Sequence, residues 1–116
     1  MQAPTVDSYS FGSIEIDGEK YRKDCILFPD HVFSSWWRKK GHRLQTEDLE
    51  KVFSEGPDLL VIGTGNNGRM KIPDDTRKAI EARGIEMFEA PTAEAVKKYN
   101  TEKDSRHVVG AFHLTC

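Results

Sequence analysis

Two cysteines in 116 residues, Cys25 and Cys116, are too few and too far apart for a disulfide framework or a metal cluster. Both are expected to be reduced thiols. No apolar run approaches the length of a membrane span, and the opening "MQAPTVDSYSFG" has no basic segment followed by an apolar stretch. A soluble, cytoplasmic protein with no membrane partner is the expectation. Charge of one sign is also missing: 17 Lys and Arg stand against 19 Asp and Glu, so no global field draws the chain to nucleic acid. Any preference for anions must be local. Internal repeats, low-complexity tracts and linkers are absent, and 37% hydrophobic content over this length bounds the answer to one domain, residues 1–116.

What is present falls into two halves. From Tyr9 to about Arg38 run three β-like stretches, "YSFGSIEI", "KYRKDCILF" and "HVFSSWW", punctuated by Asp17-Gly18 and Pro29-Asp30. Those pairs are hairpin chemistry, and the first half reads as an antiparallel meander. In "SIEI" the alternation of Ile14 and Ile16 with Ser13 and Glu15 gives one buried and one wet face.

Near Thr46 the period changes. "TEDLEKVFSEG" sets Leu49, Val52 and Phe53 on one helical face, with Thr46 as N-cap and Gly56 as stop. "DLLVIG" is a strand covered on both faces. "DDTRKAIEARG" predicts a helix with Ile80 inward and Gly84 at its end, and "IEMFEA" a strand. "PTAEAVKKYNTEKDS" predicts a helix capped by Thr92 with Ala95, Val96 and Tyr99 as its apolar stripe, and "HVVGAFHL" a last strand. The fold class is α/β: a central mixed, mainly parallel sheet flanked by helices, with a smaller antiparallel layer from the first half.

Gly63, Gly65 and Gly68 follow the apolar strand at G-x-G-x-x-G spacing. In a dinucleotide fingerprint the third glycine lies within the helix that receives the pyrophosphate. Here Arg69 to Pro73 intervene and look extended, so the spacing does not predict NAD or FAD binding, and no cofactor is expected. A strand ending in Gly63-Thr64-Gly65 at the carboxyl edge of a sheet, followed by Asn66, Asn67 and Arg69, still offers N–H groups, amides and a guanidinium to a small anion. The other reading stands beside it: the glycines make a tight turn and Asn66-Asn67 tolerates positive φ.

"SSWWRKKGHRL" is the second unusual stretch. Trp36 and Trp37, adjacent on a strand, would point to opposite faces, one into the core and one toward solvent or a partner. Arg38, Lys39, Lys40, His42 and Arg43 form the dense basic cluster of the chain, which suits phosphate contacts or a solvated turn; with no basic composition behind it, nucleic acid is not expected as a partner. Arg38 and His42 are candidate outer ligands of the anion. In "VVGAFHLTC", Cys116 and His113 read as structural residues, since nothing but His113 would activate the thiol. No acid, base or nucleophile pair stands out, so no catalytic residue is assigned and the balance lies against an enzyme.

Four blocks, "YRKDCILFPDHVFSSWWRKKGH", "DLLVIGTGNNGRMKIP", "RGIEMFEAPTAEAVKKYN" and "GAFHLTC", cover nearly the whole chain in that order. Together they resemble the adipogenesis-associated Mth-type domain family, with the mitochondrial complex I assembly factor branch as a more distant relative. The resemblance implies a three-layer α/β fold and assembly-type or differentiation roles without an established reaction or cofactor. The segment "WRKKGHR" and the opening without a targeting peptide depart from the mitochondrial branch, which weighs against a complex I role. The resulting expectation is a non-catalytic binding, adaptor or assembly protein that meets a protein partner through its exposed tryptophan, Trp36 or Trp37, and the glycine loop. Its alternative is an enzyme or sensor for a small anionic metabolite held at Gly63–Arg69.

Overall fold

Five strands form the central sheet in a computed structural model that describes residues 3–116. The first half of the chain supplies β1 (Val6–Ser10), β2 (Ser13–Ile16), β3 (Glu19–Tyr21), β4 (Cys25–Phe28) and β5 (His31–Ser34). The second half supplies α1 (Glu50–Glu55), β6 (Leu59–Thr64), α2 (Asp74–Ala82), β7 (Glu86–Ala90), α3 (Thr92–Glu102) and β8 (Val108–His113). β1, β2 and β3 make a small antiparallel sheet, and the central order is β5-β4-β8-β6-β7.

The first half is therefore not one meander. Its β4–β5 hairpin leaves the small sheet and pairs antiparallel with β8, so the central sheet is parallel at β8-β6-β7 and antiparallel at β5-β4-β8. The reason lies in "CILF": all four residues of β4 are buried, so this strand needs cover on both faces and belongs in the middle of a sheet. β6 is buried along its full length for the same reason.

Apolar residues sort onto two faces. Ile26, Leu60, Ile62, Val109 and Ala111 meet Leu49, Val52 and Ile80 of the α1 and α2 side. Leu27, Leu59, Val61, Val108 and Phe112 meet Ala95, Val96 and Tyr99 of α3, together with Val6, Ile14 and Ile16 of the small sheet. The result is three layers. The crossover β6–α2–β7 steps one way along the sheet and β7–α3–β8 steps back over β6, so two connections of one hand place α2 and α3 on opposite faces.

Local chemistry explains the ends of the helices. Gly56 and Gly84 take left-handed conformations, φ 65° and 70°, and stop α1 and α2 as expected. The two predicted caps differ. Thr46 opens a 3-10 turn, Thr46–Leu49, whose N-cap is Gln45, and α1 begins only at Glu50. At α3 the N-cap is Pro91, because the Thr92 hydroxyl is used elsewhere.

Candidate functional site

Thr92 explains the glycine turn. Its Oγ1 accepts from Gly65 N at 2.9 Å and donates to the His113 carbonyl at 2.6 Å, which ties the end of β6 to the end of β8. Three more donors of the turn are also engaged. Asn66 N donates to Thr115 O at 2.6 Å, Arg69 N to Cys116 O at 3.1 Å, and Gly68 N to Gly65 O at 3.2 Å. The backbone cradle expected for an anion is thus filled by the segment that follows β8. Gly63 lies buried inside β6 and Thr64 Oγ1 donates to Ala90 O at 3.0 Å, so neither faces a ligand through the turn. Asn66, Asn67 and Arg69 present exposed side chains, and Arg69 makes no ion pair among the described residues.

Arg38 is placed differently from the expectation as well. Only 7% exposed, it is no outer ligand on a loop. Its Nη1 lies 2.7 Å from Asp24 Oδ2, and its Nη2 donates to Gly41 O at 3.0 Å and lies 2.9 Å from His113 Nδ1. Trp36 covers the guanidinium, with its ring centroid 4.8 Å from Cζ. Asp24 completes the cluster: Oδ2 is 2.8 Å from His113 Nδ1, and Oδ1 accepts from Leu114 N at 2.8 Å. Burial alone would raise the Asp24 pKa, but the hydrogen bonds from His113 and Leu114 and the charge of Arg38 outweigh it and hold the carboxyl below its ordinary range. His42 stands at the rim, its exposed ring 6.0 Å from that of His113.

Sequence reasoning assigned His113 a structural part but missed Asp24 altogether. The available signal was a carboxylate directly before the wholly apolar "CILF": a charge at the mouth of a buried strand needs partners. The neighbouring Cys25 thiol is pushed up to about 12 by burial, first, and then by the Asp24 charge, so it is not a nucleophile.

The two tryptophans do separate, though not as strand neighbours. β5 ends at Ser34, and Ser35 adopts φ 71°, which kinks the chain while Trp36 N still donates to Asp24 O at 2.7 Å. The kink sends Trp36 inward, where its indole N–H donates to Asp48 O, and leaves Trp37 78% exposed. Ile26, Phe33, Trp36 and Trp37 line a groove of about 520 Å³, edged by Lys39, Lys51, Glu47 and Glu50. A second recess, against Phe28 and His31, continues it past Phe33. Phe11, 60% exposed, is the other large apolar side chain left in solvent among the described residues. No helix among these residues is long and apolar enough to cross a membrane.

The family described as "Protein of unknown function (DUF498/DUF598)" matches residues 6–113. The chain belongs to this family. Its relatives include the NADH dehydrogenase [ubiquinone] 1 alpha subcomplex assembly factor 3 of Mus musculus, 29% identical over 113 residues, and that of Homo sapiens, 27% identical. The match takes in 95% of this DUF498/DUF598 chain and 60% of the length of each assembly factor. Among solved structures, a conserved hypothetical protein of Pyrococcus horikoshii OT3 is 27% identical and superposes with a TM-score of 0.83, covering 97% of this chain and 99% of that one. A Bordetella pertussis protein described as a Mth938-like domain is 20% identical with a TM-score of 0.76, over 96% of this chain and 85% of that one, and shares the fold.

Proposed function

We propose that the protein is a non-catalytic binding module of the assembly type, which docks a protein partner on the groove beside Trp37. The observation that carries this reading is the exposure of Trp37 on an apolar recess. An indole left in water next to Phe33 and Ile26 offers a large contact area at small cost in side-chain entropy, the makeup of an interface anchor. The assembly factors among the relatives support a role exercised through protein contacts. Within the family we group the chain with the adipogenesis-associated branch, on the four sequence blocks quoted above. We place it in the cytosol, where two unpaired thiols such as Cys25 and Cys116 persist.

Trp37→Ala is expected to lower retention of the native partner at least tenfold in quantitative co-purification, and to change stability by no more than about 0.5 kcal/mol because the side chain is solvated. Phe11→Ala serves as the control, since it removes an exposed aromatic that lies in the β1–β2 turn and does not line the groove. Equal recovery of the same partners with both variants would rule the Trp37 groove out.

A second reading is favoured by one observation. The loops after β6 and β7 leave toward opposite faces, which opens a crevice of about 480 Å³ lined by Thr64, Asn67, Gly68, Lys71, Arg77 and Ala90. Ligands of open α/β sheets enter at such a switch point. Here the donors for a small anionic metabolite are side chains, Asn67 and Lys71 with Arg69 near the rim, in place of the engaged N–H groups. Arg77 is already paired with Glu89. Lys71→Ala is expected to abolish any phosphate-induced rise in melting temperature; a rise of the same size in the variant excludes this crevice.

A further inference from the structure

The two edges of the central sheet are guarded to different degrees. β7 is guarded: Glu86 pairs with Arg106 and Glu89 with Arg77, and Lys98 Nζ sits 5.4 Å from the Phe88 ring centroid. Charges and long side chains along an edge are how proteins keep further strands away. β5, His31–Ser34, is guarded less: Lys51 Nζ lies 4.9 Å from the Phe33 ring centroid and His31 pairs with Asp30 at the turn, but the strand itself, "HVFS", contains no acid, lysine or proline. Among the described residues it pairs on one side only, with β4.

The register says which backbone groups are free. A two-residue loop, Pro29-Asp30, joins Phe28 to His31, and such loops close on a hydrogen-bonded pair. His31 and Phe33 therefore turn their N–H and C=O groups inward to β4, and Val32 and Ser34 turn theirs outward. At Ser35, φ 71° ends the edge and swings Trp37 out beside it. An unpaired run of donors and acceptors thus lies next to the Phe33–Trp37 recess.

We propose that β5 is an acceptor strand: an extended segment of a partner protein adds to its free edge, bonding Val32 and Ser34 and setting an apolar side chain into the recess between Phe33 and Trp37. The proposal rests on the docking role of the Trp37 groove and specifies its mode. Outward main-chain groups select the occupant, because an incoming helix has its own groups satisfied internally and leaves those of Val32 and Ser34 unpaired, whereas an extended segment satisfies both.

The test pans a phage-displayed random heptapeptide library on the folded full chain and measures synthetic copies of the selected peptides by fluorescence anisotropy. Val32→Pro removes an outward donor without touching the ladder to β4, a position at which edge strands accept proline. Expected are peptides with apolar residues at alternate positions, weakened about tenfold or more by Val32→Pro and by Trp37→Ala. Slowed hydrogen exchange at the Val32 and Ser34 amides on binding is expected as well. Should Val32→Pro fail to fold, peptides N-methylated at alternate residues carry the same question against the unmodified chain, and loss of binding supports the proposal. Peptides that need Trp37 but ignore Val32→Pro and N-methylation overturn strand addition and leave the docking role standing. A library yielding no Trp37-dependent peptide overturns both. A dimer of this chain in sedimentation, dissociated by Val32→Pro, overturns the partner segment as occupant in favour of a second copy.

Discussion

Asp24→Ala is expected to cost about 3–5 kcal/mol in urea unfolding, the range for removing one partner of a buried ion pair. The Arg38 side chain is only 4% exposed and its Nη1 faces Asp24 Oδ2 at 2.7 Å. With the carboxylate gone, the guanidinium keeps Gly41 O as its acceptor, while His113 Nδ1–H and Leu114 N lose theirs. A cation held against Trp36 in a nearly dry site cannot recover its hydration without opening the end of β8. Asp24→Leu combined with Arg38→Met is expected to regain most of the loss, because two apolar side chains leave no orphaned charge. If Asp24→Ala costs less than about 1 kcal/mol, the guanidinium is solvated and the cluster is not the clasp described here.

The same pair sets a pH dependence. The Asp24 carboxyl is held below its ordinary value of 3.8 in the folded state, so the unfolded chain binds a proton first as the solution is acidified. Its stabilising contribution is complete above the unfolded value and is lost as pH falls through the folded one. Asp24→Asn should accordingly flatten the acid limb of a stability–pH curve. Asp30 and Glu86 are also held low, by the hydrogen bonds of His31 and Arg106, but they lie in solvent where screening leaves them little weight.

How far the fold could be read depended on where period and burial agree. Leu59–Thr64 and Val108–His113 are apolar because both faces are covered, and turn residues bound each, so the parallel core was legible. The hairpin of β4 and β5 was assigned to the wrong sheet because short-range turn chemistry says which strands pair, not which sheet a paired strand then joins. Trp36 and Trp37 illustrate the same limit. Their separation followed from adjacency, but the agent is the positive φ of Ser35, which a serine does not announce. The site was the least visible part. Asp24, Arg38 and His113 are brought together from three distant segments, and no local pattern encodes an ion pair between residues 14 and 89 positions apart.

Gly65→Ala is expected to destabilise the protein by about 2–5 kcal/mol, from two sources that one further variant separates. Gly65 has φ 104°, a conformation that L residues adopt only under strain. An added Cβ would also meet Cys116 O at 2.7 Å, the Cys116 carbonyl carbon at 2.8 Å and His113 Cδ2 at 2.8 Å. Most of these contacts are backbone, so relief requires the segment after β8 to lift away and break the bonds that Asn66 N and Arg69 N make to Thr115 O and Cys116 O. In a chain ending at Leu114 the clash with Cys116 is gone while the strain at φ 104° remains. Gly65→Ala should therefore cost roughly half as much there as in the full chain. Faster hydrogen exchange at Asn66 and Arg69 should mark the variant that keeps Thr115 and Cys116. An equal cost in both backgrounds would assign the whole effect to backbone strain and the His113 Cδ2 contact, which both chains keep, and show that the glycine turn does not depend on Thr115 and Cys116 packed over it.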